Sequence, residues 1–176
     1  MLTQEQNLIL QSYFSIVLMV ELKNNDFLDS DYFRTMKFGS PWIKELLKDI
    51  KIDNQGALLI TLYAMLVIPR QLIQDEFKNE CAKIEIFLRQ NTRNTKSTYE
   101  SDKATTKYLR HIRNAVAHSR VSFQPNNYVE FIDEGYNNKT SKIENFTTQL
   151  QLTKVGDFLH QLQEIHLEYI RRLQKA

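Results

Sequence analysis

Residues 109–123 read LRHIRNAVAHSRVSF, and this stretch decides how the rest of the chain is interpreted. On an ideal α-helix, which turns by about 100° per residue, its side chains and the two before it separate into two faces. The apolar face is expected to pack against the core and consists of Tyr108, Leu109, Ile112, Ala115 and Val116. The polar face is expected to be exposed and carries Lys107, His111, Asn114 and His118, with Arg110 and Arg113 at its edge.

The polar face combines the side chains that would cleave a phosphodiester without a metal. A histidine has an ordinary pKa of ~6.5 and can therefore accept and donate protons near neutral pH. An arginine presents a permanent, forked charge to two phosphate oxygens while negative charge builds in the transition state. Arg113 and His118, however, point about 140° apart, because they are five positions apart on the helix. One chain alone would make a poor site, so a twofold-related copy is expected to complete it.

The segment from Arg113 to His118, RNAVAH, resembles the R-x4-6-H motif of the HEPN superfamily, with Asn114 at the polar position that usually follows the arginine. The resemblance implies a small, commonly dimeric helical bundle. Many HEPN proteins are metal-independent ribonucleases of toxin–antitoxin, phage-defence or RNA-processing systems. The resemblance also implies attack by the ribose 2′-hydroxyl on the phosphate, which leaves a 2′,3′-cyclic phosphate and a 5′-hydroxyl. Arg113 would then bind the scissile phosphate, His118 would move protons, and Asn114 would orient a reacting group.

Four further side chains near the motif are expected to bind RNA: Lys107, Arg110, His111 and Arg120. Position 120 also marks a departure from one HEPN subgroup. HEPN proteins that a partner nucleotidyltransferase silences carry a tyrosine two residues after the histidine, and this tyrosine is the group that is modified. Because Arg120 occupies that position here, this mode of regulation is not expected.

The composition predicts one folded domain over residues 1–176. With 42% hydrophobic and 11% aromatic residues, the chain is too apolar for general disorder, and it is long enough to bury a core. The chain has only 4 glycines and 3 prolines, and this low number favours helices over tight turns. The net charge is +2, so nucleic-acid binding would have to come from a local basic patch.

Cysteine content and the N-terminal residues both favour a cytoplasmic protein. Cys81 is the only cysteine, which excludes an internal disulfide and fits a reducing compartment. The first residues, MLTQEQNL, have no basic segment before an apolar core, so no signal peptide is expected. The apolar run at residues 14–20 is too short to cross a bilayer, which takes about 20 residues, and no membrane association is expected.

Periodicity and capping signals predict a mainly α fold, a HEPN-like bundle of about five helices. The first helix is expected from Thr3, which would form a capping box with Gln6. Pro69 is expected to kink or break a later helix, after which the chain resumes as a helix at Gln71–Arg89.

The rest of the chain is expected to alternate between loop, helix and strand. Gln90–Ser101 is polar and predicts an exposed loop, after which Asp102 would cap the motif helix. A small antiparallel, β-rich insertion is predicted at about residues 120–152, before the last helix. His160 and His166 on that last helix are interpreted as solvated surface.

Three functions stay open on this sequence. The first is a homodimeric ribonuclease that acts on RNA, with an antitoxin or defence-system protein as a candidate partner. The second is a module that binds RNA or a nucleotide without cutting, as a subunit of a larger system. In the third, His118 and Asn114 only end the helix, because polar side chains there can bond the last carbonyls. No Gly-rich phosphate loop, HExxH or paired CxxC is present, so no metal or cofactor is expected.

Overall fold

The computed structural model of the protein describes residues 2–175, apart from the side chains of residues 70 and 71. The chain divides into two compact units, residues 1–64 and 65–176. The fold is mainly helical, with an antiparallel sheet ahead of the last helix, as the sequence predicts. A single domain over residues 1–176 stays a prediction.

The described part of the first unit contains four α-helices: α1 (Gln4–Asn24), α2 (Asp31–Thr35), α3 (Pro41–Ile50) and α4 (Gln55–Leu62). The predicted capping box is confirmed, because the Thr3 N–H donates to Gln6 Oε1 at 2.8 Å and the Gln6 N–H donates to Thr3 Oγ1 at 3.2 Å. Along α1, Tyr13 is buried whereas Phe14 and Leu18 are largely exposed. Only one side of this apolar helix therefore belongs to the core of its unit.

The second unit begins within a π-helical turn, Tyr63–Val67, and a 3₁₀ turn, Glu100–Asp102, lies midway along it. Its described residues form α5 (Arg70–Glu76), α6 (Lys78–Asn91), β1 (Thr92–Ser97), α7 (Tyr108–Ala117), β2 (Val121–Gln124), β3 (Tyr128–Asn137), β4 (Lys142–Gln151) and α8 (Leu152–Lys175). Residues 2–175 thus contain eight α-helices, and the predicted number of about five is wrong.

Part of the higher helix number comes from Phe77, which divides the helix predicted over Gln71–Arg89 into α5 and α6. Its backbone has φ −118° and ψ 45°, which is not helical. Its ring is buried and packs edge to face on Tyr169 of α8, with 6.4 Å between the ring centroids. Here tertiary packing overrides the helix propensity of the surrounding sequence.

The helical path breaks at Pro69, as predicted, between the π-helical turn and α5. Proline has no N–H, so the carbonyl of Met65, four residues earlier, lacks the donor that an α-helix would supply. His166 of α8 lies with its Nε2 atom 3.1 Å from this oxygen and donates to it. The side chain of His166 is buried, and the prediction that it is solvated surface is wrong, whereas His160 is largely exposed as predicted.

The four strands form one antiparallel sheet in the order β1-β4-β3-β2. Strands β2, β3 and β4 confirm the β-rich insertion at residues 120–152. The prediction of an exposed loop at Gln90–Ser101 is wrong, since β1 lies in this segment and pairs with β4. The sequence pattern did not predict this strand because its side chains are polar. One of them, the Thr95 hydroxyl, is hydrogen-bonded at 2.7 Å to the hydroxyl of Thr148.

The sheet supports the motif helix from one side. Along β3, alternate residues Val129, Phe131 and Asp133 are buried, and α7 lies against this strand and against α6. A carboxylate at Asp133 therefore faces inward, next to α7, where the strand pattern calls for an apolar residue.

Among the described residues, no single helix is long and apolar enough to cross a membrane. One bent pair, Pro41–Ile50 with Gln55–Val67, has that length and composition when the two are taken together.

Candidate functional site

The motif helix α7 has the predicted core face, because Tyr108, Leu109, Ile112, Ala115 and Val116 are all buried. Its start differs from the prediction: α7 begins at Tyr108, and Asp102 does not cap it. Instead, Glu85 of α6 accepts the N–H of Leu109 at 3.1 Å. Asp102 lies in the preceding 3₁₀ turn, where its carboxylate is buried and binds side chains of α7.

His111 is buried inside the protein, with none of its surface exposed. Its Nε2 atom lies 2.8 Å from Asp102 Oδ2, and its Nδ1 atom lies 2.7 Å from Asp133 Oδ2. The ring stacks on Phe146 with 4.2 Å between centroids, and Tyr99 lies on it at 4.6 Å. The expectation that His111 lies on the exposed face is wrong, and a ring in this position is out of reach of RNA.

The helical pattern could not reveal this burial, because it does not say which side of a helix a sheet covers. Here β3 covers the side that carries His111 and Asn114, and Asn114 Nδ2 donates to Asp133 Oδ2 at 3.1 Å. Burial alone would raise the pKa of the Asp133 carboxyl, but hydrogen bonds from His111 and Asn114 outweigh it and hold the pKa below its usual value. Burial and the nearby Asp133 charge raise the pKa of the Tyr99 hydroxyl.

Arg113 is also nearly buried, with 6% of its surface exposed, and its guanidinium binds side chains of α5 and α7. Its Nη1 atom donates to Gln74 Oε1 of α5 at 2.9 Å, and its Nη2 atom donates to Asn114 Oδ1 at 3.3 Å. The same side chain lines a cavity of about 750 Å³ between α5, α6 and α7. A phosphate would therefore have to reach Arg113 through this cavity.

Basic side chains outnumber acidic ones around the cavity. Four of its lining residues are basic, namely Lys78, Lys107, Arg110 and Arg113, and two are acidic, namely Asp75 and Glu85. Burial raises the pKa of the Glu85 carboxyl, although its hydrogen bond from the backbone of α7 opposes this change. The cavity is thus suited to an anionic ligand such as a phosphate.

His118 lies at the other end of the motif and does not line this cavity. It is the C-terminal cap of α7, where its backbone N–H donates to the carbonyl of Asn114 at 3.0 Å, and its side chain is exposed. In the described part of the chain, the structure gives the His118 ring no hydrogen bond to the last carbonyls, and the Asn114 side chain binds Arg113 and Asp133 instead. The interpretation in which these two side chains only end the helix therefore gains no support.

The structure thus separates five of the predicted site residues into three groups. Lys107, Arg110 and Arg113 line one cavity, His111 is buried behind them, and His118 is exposed at the end of α7. Arg120 follows the helix and binds Glu134 of β3, donating to its carbonyl at 3.1 Å.

A protein-family model described as HEPN pEK499 p136 matches residues 1–173. The chain belongs to this HEPN family. A comparison with curated proteins found no match, and neither did a comparison with solved structures. The predicted HEPN membership is thereby confirmed over almost the whole chain. The segment Arg113–His118 lies at the end of a helix that contacts both a sheet and another helix.

Several residues that shape the candidate site could not be selected from the motif. Asp133 had one usable signal, since it is a charged residue at an inward position of a strand, and such a residue is normally paired. Gln74, Glu85 and Asp102 had none, because each is one polar residue among many along its segment. Among residues 2–175, no three His, Cys, Asp or Glu side chains are grouped so that they could hold a metal ion.

Proposed function

We propose that this HEPN protein is a metal-independent endoribonuclease of toxin or phage-defence type that cuts RNA at a site composed from two copies of the chain. One observation carries the proposal: Arg113 lines a basic cavity, while His118 of the same helix is exposed outside it. The phosphate-binding group and the proton carrier are both present, but one chain does not bring them together. A homodimer with α7 at its twofold axis would supply His118 from one copy beside Arg113 of the other.

In this proposal Arg113 binds the scissile phosphate. Gln74 and Asn114 fix its guanidinium, so the two-pronged charge is oriented before RNA arrives and little reorganisation is needed as the transition state forms. Lys107 and Arg110 line the same cavity and would bind the phosphates on either side. Arg120 is a further RNA contact in this proposal, at the end of α7.

The chemistry requires two proton transfers and no metal. A base removes the proton of the ribose 2′-hydroxyl, the 2′-oxygen attacks phosphorus, and the bond from phosphorus to the 5′-oxygen breaks. An acid returns a proton to that leaving oxygen, which gives a 2′,3′-cyclic phosphate and a 5′-hydroxyl. His118 is the side chain that we assign to both transfers: it takes the proton of the 2′-hydroxyl as base and then, as acid, gives a proton to the leaving oxygen.

A second function is favoured by a separate observation. Within one chain the cavity holds basic side chains but no histidine, which suits binding of RNA or a nucleotide without cleavage. The protein would then be the RNA-binding subunit of a cytoplasmic system with an antitoxin or defence protein as partner. The two functions share the cavity and differ only in whether His118 reaches it.

The deciding experiment incubates the purified protein with a mixed RNA pool in EDTA and identifies the fragment ends. Wild type should leave cyclic phosphate and 5′-hydroxyl ends. His118→Ala should cut about 10²–10⁴-fold more slowly while binding RNA nearly as well, because it removes a proton carrier. Arg113→Ala should lose both rate and affinity, since its charge meets the phosphate before and during the reaction.

The matched control is His160→Ala, which removes an exposed histidine from α8. It should cut like wild type. Equal cutting by wild type and His118→Ala would mean that the activity is a contaminant, and the binding function would then take precedence. Cleavage that requires magnesium and leaves 5′-phosphates would refute the mechanism.

A further inference from the structure

Two arginines of the cavity, Arg110 and Arg113, are held by one buried network. On the Arg110 side, Asp102 accepts from Arg110 Nη2 through Oδ1 at 3.1 Å and binds His111 Nε2 through Oδ2 at 2.8 Å. The same Nη2 atom lies 2.9 Å from His111 Nε2 and donates to the Ser101 hydroxyl at 2.9 Å. Arg110 is thus tied to the buried ring through Asp102.

The Arg113 side of the network runs through Asp133. Its Oδ2 atom accepts from both His111 Nδ1, at 2.7 Å, and Asn114 Nδ2, at 3.1 Å. The other end of the Asn114 amide, Oδ1, accepts from Arg113 Nη2 at 3.3 Å. Because Asn114 donates with its nitrogen and accepts with its oxygen, fixing Asp133 also fixes which way the amide faces Arg113.

We propose that His111 is a positioning residue for Arg110 and Arg113. It is the one member of the network that binds both carboxylates, so it joins the two halves. It cannot touch RNA, since none of its surface is exposed, and its effect on a ligand must pass through the arginines. The inference deepens the proposed function, because it says how the cavity arginines are held for phosphate binding.

The surroundings of the ring suit such a role. Phe146 stacks on the ring and Tyr99 lies tilted against it, so these two aromatic rings help to hold the imidazole with its two nitrogens at the two aspartates. The Tyr99 hydroxyl hydrogen-bonds Asp133 as well. Gly135 makes room for it, since a Cβ there would lie 2.9 Å from the Tyr99 hydroxyl oxygen.

The advantage of this arrangement is preorganisation. A free arginine loses the freedom of several side-chain torsions when it binds a phosphate, and this loss weakens binding. When the network holds the guanidinium beforehand, that loss has already occurred on folding. His111 therefore contributes to phosphate binding and to transition-state stabilisation without contacting either.

The test measures the mobility of the arginine side chains by NMR relaxation of their Nε–H groups, with no RNA present. In wild type, Arg110 and Arg113 should be rigid, and exposed Arg171 should be mobile. His111→Gln should make both cavity arginines mobile while the backbone amide spectrum stays that of a folded protein. His160→Gln, the same substitution at an exposed position, should change neither arginine.

A second variant tests the two halves of the network separately, and it replaces His111→Gln in the experiment if that variant does not fold. Asp133→Ala removes the shared acceptor of His111 and Asn114 but leaves Asp102 in place. Arg113 should become mobile and Arg110 should stay rigid. If both arginines stay rigid in every folded variant, or if Asp133→Ala frees both equally, the positioning role of His111 is refuted.

Activity provides an independent readout. His111→Gln should lower RNA cleavage by up to about 10²-fold, as misplaced binding groups do. In a background that already carries Arg110→Ala and Arg113→Ala, it should lower the residual rate no further. An equal loss in both backgrounds would assign His111 a purely structural role. If wild type does not cut RNA at all, the proposed function fails, while the relaxation measurement still decides the positioning role.

Discussion

The Nδ1 atom of His111 lies 2.7 Å from Oδ2 of Asp133, and both side chains are almost completely buried. A charged carboxylate in such a place is stable only because its hydrogen-bond donors replace the water that it lost. The same contact joins α7 to β3, so the motif helix and the sheet depend on each other through one pair of side chains.

Acid should therefore destabilise the fold through Asp133. The pKa of this carboxyl lies below its ordinary value of 3.8, which means that the folded state binds the proton less readily than the unfolded state. Its contribution is fully present above pH 3.8 and is lost as the pH falls through the lowered folded pKa. At pH 7, Asp133→Ala should reduce the free energy of unfolding by about 3–5 kcal/mol, as for other broken buried pairs.

Urea unfolding of wild type and Asp133→Ala at several pH values between 3 and 7 checks this prediction. The difference between the two proteins should shrink towards the acid end. A variant at the exposed Asp157 of α8, Asp157→Ala, controls for the loss of a carboxylate. A difference that is constant with pH would mean that the pKa of the Asp133 carboxyl is the same in the folded and the unfolded protein.

His166 should make stability depend on pH nearer neutrality. Burial lowers the pKa of this imidazole below 6.5, and the hydrogen bond to Met65 opposes the shift only in part. The unfolded state then binds more protons than the folded state at mildly acid pH, so stability is present above pH 6.5 and falls as the pH drops towards the lowered folded pKa. His166→Phe should remove this pH dependence.

The same variant leaves the Met65 carbonyl without its donor, which should cost about 1–3 kcal/mol at pH 7.5. Thermal unfolding of wild type, His166→Phe and the exposed control His160→Phe between pH 5 and 7.5 measures both effects. If wild type and His166→Phe lose stability in parallel on acidification, another group is responsible.

How far the sequence predicts this structure differs from element to element. The first helix, the break at Pro69 and the core face of α7 were predictable, because capping boxes, prolines and helical periodicity act over a few neighbouring residues. Strand β1 was not, since its stability comes from pairing with β4, whose paired residues are 49 to 58 positions away, and not from an apolar pattern. The residues of a strand do not by themselves indicate which distant strand pairs with it.

The candidate site divides in the same way. The motif located Arg113 and His118, and the charges beside them located Lys107 and Arg110. Only the structure shows that α7 carries a buried histidine, because a helical wheel separates polar from apolar residues but cannot tell exposed polar residues from buried, paired ones. The order of the polar residues along α7 would be the same whether His111 were exposed to solvent or buried and paired.

RNA affinity should fall steeply with salt and depend on Lys107. Each phosphate that a basic side chain neutralises on a single strand contributes about 0.7 to the slope of log affinity against log salt, because counterions are released. Lys107→Ala should therefore reduce the slope by about 0.7. Fluorescence anisotropy with a labelled single-stranded RNA from low to physiological salt gives the slope.

Lys139→Ala, an exposed lysine in the turn between β3 and β4, is the control and should leave the slope unchanged. An affinity that stays flat across this salt range would contradict nucleic-acid binding altogether. An equal effect of both lysines would mean that RNA is attracted by overall charge and not by the cavity.

The composite site makes a further prediction, in which two inactive variants should restore each other. If Arg113 of one copy acts with His118 of the other, a mixed dimer of Arg113→Ala and His118→Ala chains contains one site with both groups intact. Random exchange makes about half of the dimers mixed, each with one intact site of two, so about a quarter of the wild-type activity should return.

The experiment refolds the two variants together and assays RNA cleavage, with each variant refolded alone as the baseline. Light scattering should find dimers in every sample. If the dimers form and the mixture stays as inactive as its components, Arg113 and His118 act within one chain, and α7 must rearrange to bring them together.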